Sequence, residues 1–417
     1  MGSRIFSDIV KGLERKSRTI IAFLITFVIL SGVGYSVYLG NTLRFLPDEQ
    51  DYYDIATNIV RQFSYSLNGE NPTAYRPPGY PLFLSMFRYF GGGIIFLRIL
   101  NFFIFGFGIY LVYKTLQREH SSLAGLIGAF LLVGYPVIFF TSGTLYPQIL
   151  ASVLFLLIFY LFTKDSSKFW IYILCGLLFG FLILTVPTFI FALLLFPVWM
   201  GPRHKQWVGY LTMVIVAILL LSVWGIRNFI LFDDYIFVST NSGENLLLGN
   251  SENTTPSKGT FDLSKYTSFA ETLNEVERDR YYRSEAIDYI RNNKLQTFQI
   301  YILKVLNYFH YRNELVTRSE GTQIRDTIML ITYGSLLLLF IIRLFLVKEY
   351  KISYFERTLI MLYISSAFFT AVFFTRIRFR IPYDFLLIMI VALFLAKLIY
   401  RYFLKSQSKL VGSTNFT

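Results

Sequence analysis

Charged residues, cysteines and histidines are scarce in this chain of 417 residues. Charged side chains make up 16% of it, against about 25% in a soluble domain. Cys175 is the single cysteine, which excludes an intramolecular disulfide and a cysteine metal cluster. The three histidines, His120, His204 and His310, lie far apart in the sequence, so neither a histidine metal site nor a catalytic triad is expected.

Hydrophobic residues are abundant instead. They make up 54% of the chain, and aromatic residues alone make up 19%. Several stretches of about twenty residues carry no charge, which is the length that a helix needs to cross about 30 Å of hydrocarbon. The composition therefore predicts an integral membrane protein whose solvent is largely lipid, and it excludes a soluble one.

The charge-free stretches predict an all-α polytopic membrane protein with about ten transmembrane helices. The predicted spans are 19–39, 93–115, 122–140, 145–163, 169–185, 187–200, 207–228, 324–347, 354–374 and 381–403. Only Val186-Pro187, a helix-breaking pair, separates the fifth span from the sixth.

The net charge of +13 comes from basic residues in short loops between these spans. Loops rich in lysine and arginine stay in the cytoplasm, so the charge indicates orientation and no nucleic-acid partner. We expect the protein to lie in a prokaryotic plasma (inner) membrane, with both of its termini on the cytoplasmic side. The predicted parts are an N-terminal transmembrane module at 1–228 with an outer loop at 40–92, an extracytoplasmic region at 229–323 and a C-terminal transmembrane module at 324–417.

Four arginines fall on the outer side, against this trend: Arg227, Arg376, Arg378 and Arg380. One interpretation is that they are arginines at helix ends whose charged tips reach the interface. The other is an anion site, because a guanidinium presents a rigid fork of donors that matches phosphate.

Two short motifs lie in the first outer loop. Asp48 and Glu49 follow the first span directly and begin a predicted surface helix, whose N-terminal dipole favours anions. A charged cap on a surface helix is the simpler interpretation. The second motif, Arg76-Pro77-Pro78-Gly79-Tyr80-Pro81, predicts a rigid, non-helical turn that aims one arginine at the interface.

Two further motifs lie nearer the C-terminus. Trp224-Gly225-Ile226-Arg227-Asn228 is followed by a segment rich in Gly, Asn and Ser that includes Asn245 and Asn250. Its hydroxyl, amide and backbone groups can hydrogen-bond a sugar, although such a segment is also an ordinary turn-rich loop. The fourth motif, Arg378-Phe379-Arg380-Ile381-Pro382, stands just before the last predicted span.

In this order the four motifs resemble those of GT-C superfamily glycosyltransferases, of the branch with protein O-mannosyltransferases and lipid A aminoarabinose transferases. The resemblance covers most of the chain. It has two departures. Gln148 stands where family members often have a glutamate, and Val186 stands where many have an arginine before the proline.

The resemblance implies transfer of a sugar from a polyprenyl-phosphate carrier to an acceptor on the extracytoplasmic face, usually with inversion. Asp48 would be the general base and Glu49 its support. The implied ligands of substrate and lipid phosphate are Arg76, Tyr80, Arg227, Asn228, Asn245, Asn250, Arg378 and Arg380. No cofactor is expected to be required; a divalent metal between the carboxylates and the phosphate is the less favoured alternative, because four arginines can neutralise one phosphate. The acceptor, whether protein, lipid or glycan, is not specified.

Three other functions compete with this one. A transporter or lipid flippase would place charged residues inside its spans. An O-antigen polymerase or ligase also has a large outer loop with arginines, but an acidic pair directly after the first span is not expected there. A non-catalytic membrane scaffold would tolerate the loss of Asp48.

Overall fold

The computed structural model describes residues 2–43, 47–162, 168–200, 207–257, 263–312 and 323–413. Parts of the predicted first outer loop (44–46), of cytoplasmic loops (163–167 and 201–206) and of the outer region (258–262 and 313–322) lie outside them, as does the C-terminal segment 414–417. The described residues form helices and no β-strand beyond one isolated bridge between Ser66 and Pro72. The all-α prediction is confirmed.

The helices are numbered in chain order. They are α1 (Gly2–Arg15), α2 (Ser17–Leu39), α3 (Asp48–Gln62), α4 (Gly79–Tyr89), α5 (Ile94–Glu119), α6 (Ser122–Val133), α7 (Pro136–Ser142), α8 (Gln148–Phe162), α9 (Phe169–Thr185), α10 (Ile190–Met200), α11 (Trp207–Phe232), α12 (Ser242–Gly249), α13 (Ser264–Ala270), α14 (Glu275–Asn292), α15 (Lys294–Tyr308), α16 (Gln323–Met329), α17 (Ser335–Phe345), α18 (Tyr354–Ala371) and α19 (Ile377–Ser413).

Within the described residues, five helices are long and apolar enough to cross a membrane. They are α2, α5, α11, the continuous helix Gln323–Phe345, in which a π-helical turn at Leu330–Gly334 joins α16 to α17, and the part Ile377–Tyr402 of α19. A sixth span results if α6 and α7, which are bent by 64° at Pro136, are counted together. The bend arises because proline cannot continue the hydrogen-bond ladder of a helix. The predicted number of about ten spans is not confirmed, since α8 and α9 have only 15 and 17 residues.

The last helix lies in the middle of the bundle. α19 packs against α6, α8, α17 and α18, and its residues from Phe385 to Ala392 are fully buried. Outer helices instead expose large apolar side chains, such as Phe23, Leu30 and Ile230, to the surroundings. This arrangement fixes the start of α19, with Arg378 and Arg380, against the elements around it.

The predicted extracytoplasmic region is held to the bundle by α15. The predicted helix near Glu275–Arg291 is present as α14, and it begins with a capping box between Asn274 and Glu277. The apolar run that follows forms α15 and packs on α18, where the Tyr301 hydroxyl donates to the Phe368 carbonyl at 3.1 Å. The exposed surface of α15 is largely apolar and includes Leu295, Phe298 and Leu306.

We expect Gly249→Ala to destabilise the protein by about 3 kcal/mol, because overpacking against an immobile group strains the fold. Gly249 ends α12, and a Cβ there would overlap the backbone carbonyl of Phe373. Thermal unfolding in detergent measures the effect. Gly34→Ala is the matched control, since a Cβ at Gly34 in α2 meets nothing within 4 Å. Equal melting temperatures for the two variants would contradict the packing described here.

Candidate active site

The structure brings three of the four motifs together at the start of α3. Asp48 is the first residue of this helix, and Asp51 lies in the same turn, where the helix dipole stabilises carboxylates. Arg76 donates to Asp48 Oδ1 at 2.6 Å, and Arg378 donates to Asp48 Oδ2 at 2.6 Å. Arg378 is 330 residues away in sequence, so the fold assembles this cluster.

Arg76 is held by two carboxylates. Its Nε and Nη2 donate to Asp51 Oδ2 at 2.9 and 2.7 Å, in addition to the contact with Asp48. The Tyr65 hydroxyl donates to the Arg76 carbonyl at 2.8 Å. The proline-rich turn after it packs closely on the end of α9, because a Cβ on Gly79 would overlap Thr185. Arg76 is therefore a buried and fixed cation.

Arg378 is more open. Its Nη1 donates to Asp48 and to the Tyr146 hydroxyl, the latter at 3.1 Å, and its guanidinium lies 5.5 Å from the centre of the Tyr146 ring. Its side chain is 30% exposed, against 11% for Arg76. Its Nε is buried and has no hydrogen-bond partner among the described residues. Arg378 thus retains donors that a bound anion can use.

Glu49 supports the segment that carries Tyr146. Its carboxylate is fully buried and accepts a hydrogen bond from the Leu145 N–H at 2.6 Å. The neighbouring Tyr146 hydroxyl donates to Asp48 Oδ2 at 3.2 Å. Glu49 therefore positions a side chain that touches Asp48.

The arginines change the acidity of the carboxylates. Burial by itself raises the pKa of Asp48, but Arg378 and Arg76 outweigh it and hold that pKa below its ordinary value. Burial raises the pKa of Asp51, and the nearby Arg76 guanidinium offsets this rise only in part. Burial also raises the pKa of Tyr146, so its hydroxyl stays protonated and can donate. Of the two carboxylates, Asp48 therefore has the lower pKa.

Arg227 and Asn228 lie apart from Asp48 and hold the loops instead. The Arg227 guanidinium donates to the Thr73 carbonyl and to Asn228 Oδ1, both at 2.9 Å, and stacks on Trp224. Asn228 donates to the Ile236 carbonyl at 3.0 Å. Arg227 thus ties the end of α11 to the turn before Arg76, and Asn228 ties it to the segment that follows α11.

Arg380 is directed into the bundle and away from Asp48. It is fully buried, pairs with Asp384 at 3.0 Å, and donates to the carbonyls of Tyr308 and His310 at 2.9 and 2.7 Å. The reason is helical geometry. α19 begins at Ile377, so Arg378 and Arg380 lie two residues apart on one helix and face different sides.

The remaining predicted ligands also have other contacts. Tyr80 is buried with its ring against Tyr52, at 5.3 Å between ring centres. Asn245 lies in α12 with a half-buried side chain. Asn250 donates to the carbonyls of Leu246 and Val372, both at 2.9 Å. None of these contacts involves Asp48.

Two tethering residues were not among the predicted site residues. Glu275 accepts hydrogen bonds from the Thr73 and Thr240 hydroxyls, both at 2.6 Å, and so joins the turn before Arg76 to the Ser/Asn-rich loop. Lys304 donates to the carbonyls of Gly249 and Phe373 at 3.0 and 2.8 Å, and burial lowers its pKa to about 8. In the sequence, the signals available for these two residues were an acidic residue, Glu275, at the start of a helix and a lysine, Lys304, within an apolar run.

Two cavities lie beside these loops. One of about 260 Å³ is lined partly by the predicted sugar-binding loop, through residues such as Ser239, Thr240 and Ser242, and by Asp279. The other, of about 310 Å³, is lined by apolar and aromatic residues together with Asn250, Lys294 and Thr297. Neither includes Asp48 in its lining. The described residues also contain no group of three or more His, Cys, Asp or Glu side chains that could hold a metal ion.

Fold and site define an integral membrane protein of helices with a carboxylate–arginine cluster at the start of a short helix outside the long spans. No protein-family model and no curated protein matches the chain. Among solved structures it is similar to ArnT from Cupriavidus metallidurans in the apo state, with a TM-score of 0.41, 12% identity, and coverage of 89% of this chain and 76% of that chain. The same enzyme bound to undecaprenyl phosphate gives a TM-score of 0.39 at the same identity and coverage.

Proposed function

We propose that this protein is a membrane glycosyltransferase that moves a sugar from a polyprenyl-phosphate carrier to an acceptor hydroxyl on the extracytoplasmic face. The observation that carries the proposal is the contact of Asp48 with both Arg76 and Arg378, each at 2.6 Å. A base and two cations are the groups that such a transfer needs. The order of the motifs, which resembles that of GT-C glycosyltransferases, supplies the reaction class.

In this reaction Asp48 takes the proton of the acceptor hydroxyl. The acceptor oxygen forms a bond to the anomeric carbon, and the bond from that carbon to the phosphate oxygen breaks. The carrier phosphate leaves with the bonding electrons, and Arg378 stabilises its growing charge. One displacement with one base inverts the anomeric configuration. The unused donors and the 30% exposure of Arg378 make it the cation that meets the phosphate.

A transporter is the second candidate, because charged residues do lie inside the spanning bundle. Arg343 pairs with Glu356 at 2.5 Å and Glu356 with Lys397 at 2.6 Å, and Arg380 pairs with Asp384. Intramembrane charges mark ion or substrate paths in many transporters. Here, however, each carboxylate is buried against a basic partner, and none of these residues lines either cavity described above. Their arrangement favours a structural role.

Arg378→Ala is expected to weaken binding of undecaprenyl phosphate by at least about tenfold, because hydrogen bonds to a charged group contribute about 1.5–3 kcal/mol. The protein is placed in nanodiscs and titrated with the carrier. Arg61→Ala is the matched control, since Arg61 is an exposed arginine at the end of α3. Unchanged affinity in Arg378→Ala would remove Arg378 from the phosphate site.

A further inference from the structure

The two arginines of the cluster are paired unequally. Arg76 contacts two carboxylates, so Asp51 continues to neutralise it if Asp48 moves. Arg378 contacts one carboxylate among the described residues, and that carboxylate is Asp48. The two carboxylates Asp48 and Asp51 balance the two guanidiniums. A phosphate that enters this cluster therefore meets cations whose charge is already neutralised.

A phosphate and the Asp48 carboxylate cannot both contact Arg378 without a large electrostatic penalty. Two anions beside one cation repel each other, and the repulsion is strong where burial excludes water. Arg76 is buried and has Asp51 as a second partner, whereas Arg378 is partly exposed and retains an unpartnered Nε. Arg378 is thus the cation whose partner can be exchanged.

We propose that the carrier phosphate displaces the Asp48 carboxylate from Arg378, and that Tyr146 holds the displaced carboxylate for catalysis. The inference rests on the proposed function and deepens it. Asp48 accepts from Arg378 Nη1 at 2.6 Å, and this is the donor that the phosphate would take. Tyr146 is a positioning residue, because its hydroxyl contacts Asp48 Oδ2 at 3.2 Å and Arg378 Nη1 at 3.1 Å.

The exchange links donor binding to the strength of the base. Arg378, Arg76, Asp51 and Tyr52 face Asp48 together with Tyr146, and Arg378 contributes most to lowering the Asp48 pKa. When Arg378 turns to the phosphate, this contribution is lost and Asp48 becomes a better proton acceptor. Because Glu49 fixes the neighbouring Leu145 backbone, the Tyr146 hydroxyl remains in place to hold Asp48.

The test is the affinity of Asp48→Asn for undecaprenyl phosphate in nanodiscs. If Asp48 competes with the phosphate, its loss as an anion tightens binding by about tenfold relative to wild type. Asp54→Asn is the matched control, because Asp54 lies on the same helix and accepts from Gln50 at 2.7 Å. Its affinity should remain within about twofold of wild type, since the half-buried Asp54 carboxylate contacts Gln50 and neither arginine of the cluster.

Equal or weaker binding by Asp48→Asn, with a wild type that binds well, would overturn the exchange and leave the proposed function standing. A wild type that binds undecaprenyl phosphate no better than undecaprenol would overturn both. Tyr146→Phe tests the second half of the inference. We expect its kcat to fall about tenfold with the carrier affinity unchanged, and an unchanged kcat would exclude the positioning role of Tyr146.

Discussion

Asp48→Asn is expected to lower the rate of sugar transfer by about 10²–10⁴-fold, the range that a general base contributes. Asparagine has nearly the same shape, but its amide cannot take a proton from the acceptor hydroxyl. The carboxylate contacts two arginines and Tyr146, and its pKa is held below the ordinary value, so it is ionised at neutral pH. The rate of carrier release in nanodiscs at saturating donor measures the loss.

The loss should appear in turnover, while carrier binding is not weakened. Asp54→Asn removes a half-buried carboxylate six residues along α3 from Asp48. Its transfer rate should stay within about twofold of wild type, since Asp54 contacts Gln50 and not Asp48 or its arginines. A rate in Asp48→Asn above about one tenth of wild type would exclude Asp48 as the base.

Arg380→Met is expected to destabilise the protein by about 3–5 kcal/mol, since it leaves a buried carboxylate without its partner. Arg380 and Asp384 are both fully buried, and the Tyr135 hydroxyl donates to Asp384 at 2.8 Å. The arginine also holds the end of α15 through the Tyr308 and His310 carbonyls. Thermal unfolding in detergent, followed by aromatic circular dichroism, measures the change.

The control is the double variant Arg380→Met with Asp384→Leu. Replacing both members of a buried ion pair by apolar residues is often neutral, so the double variant should recover much of the lost stability. One result would instead support the phosphate-binding role that the sequence predicts for Arg380. If Arg380→Met melts as wild type does but no longer binds undecaprenyl phosphate, Arg380 is a phosphate ligand.

Local sequence patterns selected the residues of the carboxylate–arginine cluster. Asp48, Glu49, Arg76 and Arg378 were all selected from short motifs, and the structure places them in one cluster. The motif around Arg378 stood out because arginines are unusual on the outer side of a membrane protein. The acidic pair stood out because it follows the first span directly. Each signal depends on neighbouring residues only.

Helix boundaries explain why Arg380 lies away from Asp48 while Arg378 contacts it. Proline is tolerated in the first turn of a helix, so Pro382 favours a span that starts beside it, at 381. In the structure α19 already begins at Ile377 and includes Pro382. Arg378 and Arg380 are therefore helical, and their side chains point to different sides. A loop would have allowed both to face one phosphate.

Contacts between distant segments could not be predicted. Tyr146 reaches Asp48 across 98 residues, and Glu275 reaches Thr73 across 202 residues. Nothing near Tyr146 or Glu275 in the sequence indicates these partners. The number of spans could not be predicted from the hydrophobicity pattern either. Helices of 15 and 17 residues have the apolar composition of spans but are short for a bilayer.

The most direct test of the proposed function is carrier release by the wild-type protein in nanodiscs. The protein is incubated with a panel of undecaprenyl-phosphate-linked sugars and a crude extract of cell-envelope acceptors, and free undecaprenyl phosphate is measured. The glycosyltransferase proposal predicts release from at least one donor by wild type and none above background by Asp48→Asn. A wild type that binds no undecaprenyl phosphate and releases none from any donor would contradict it.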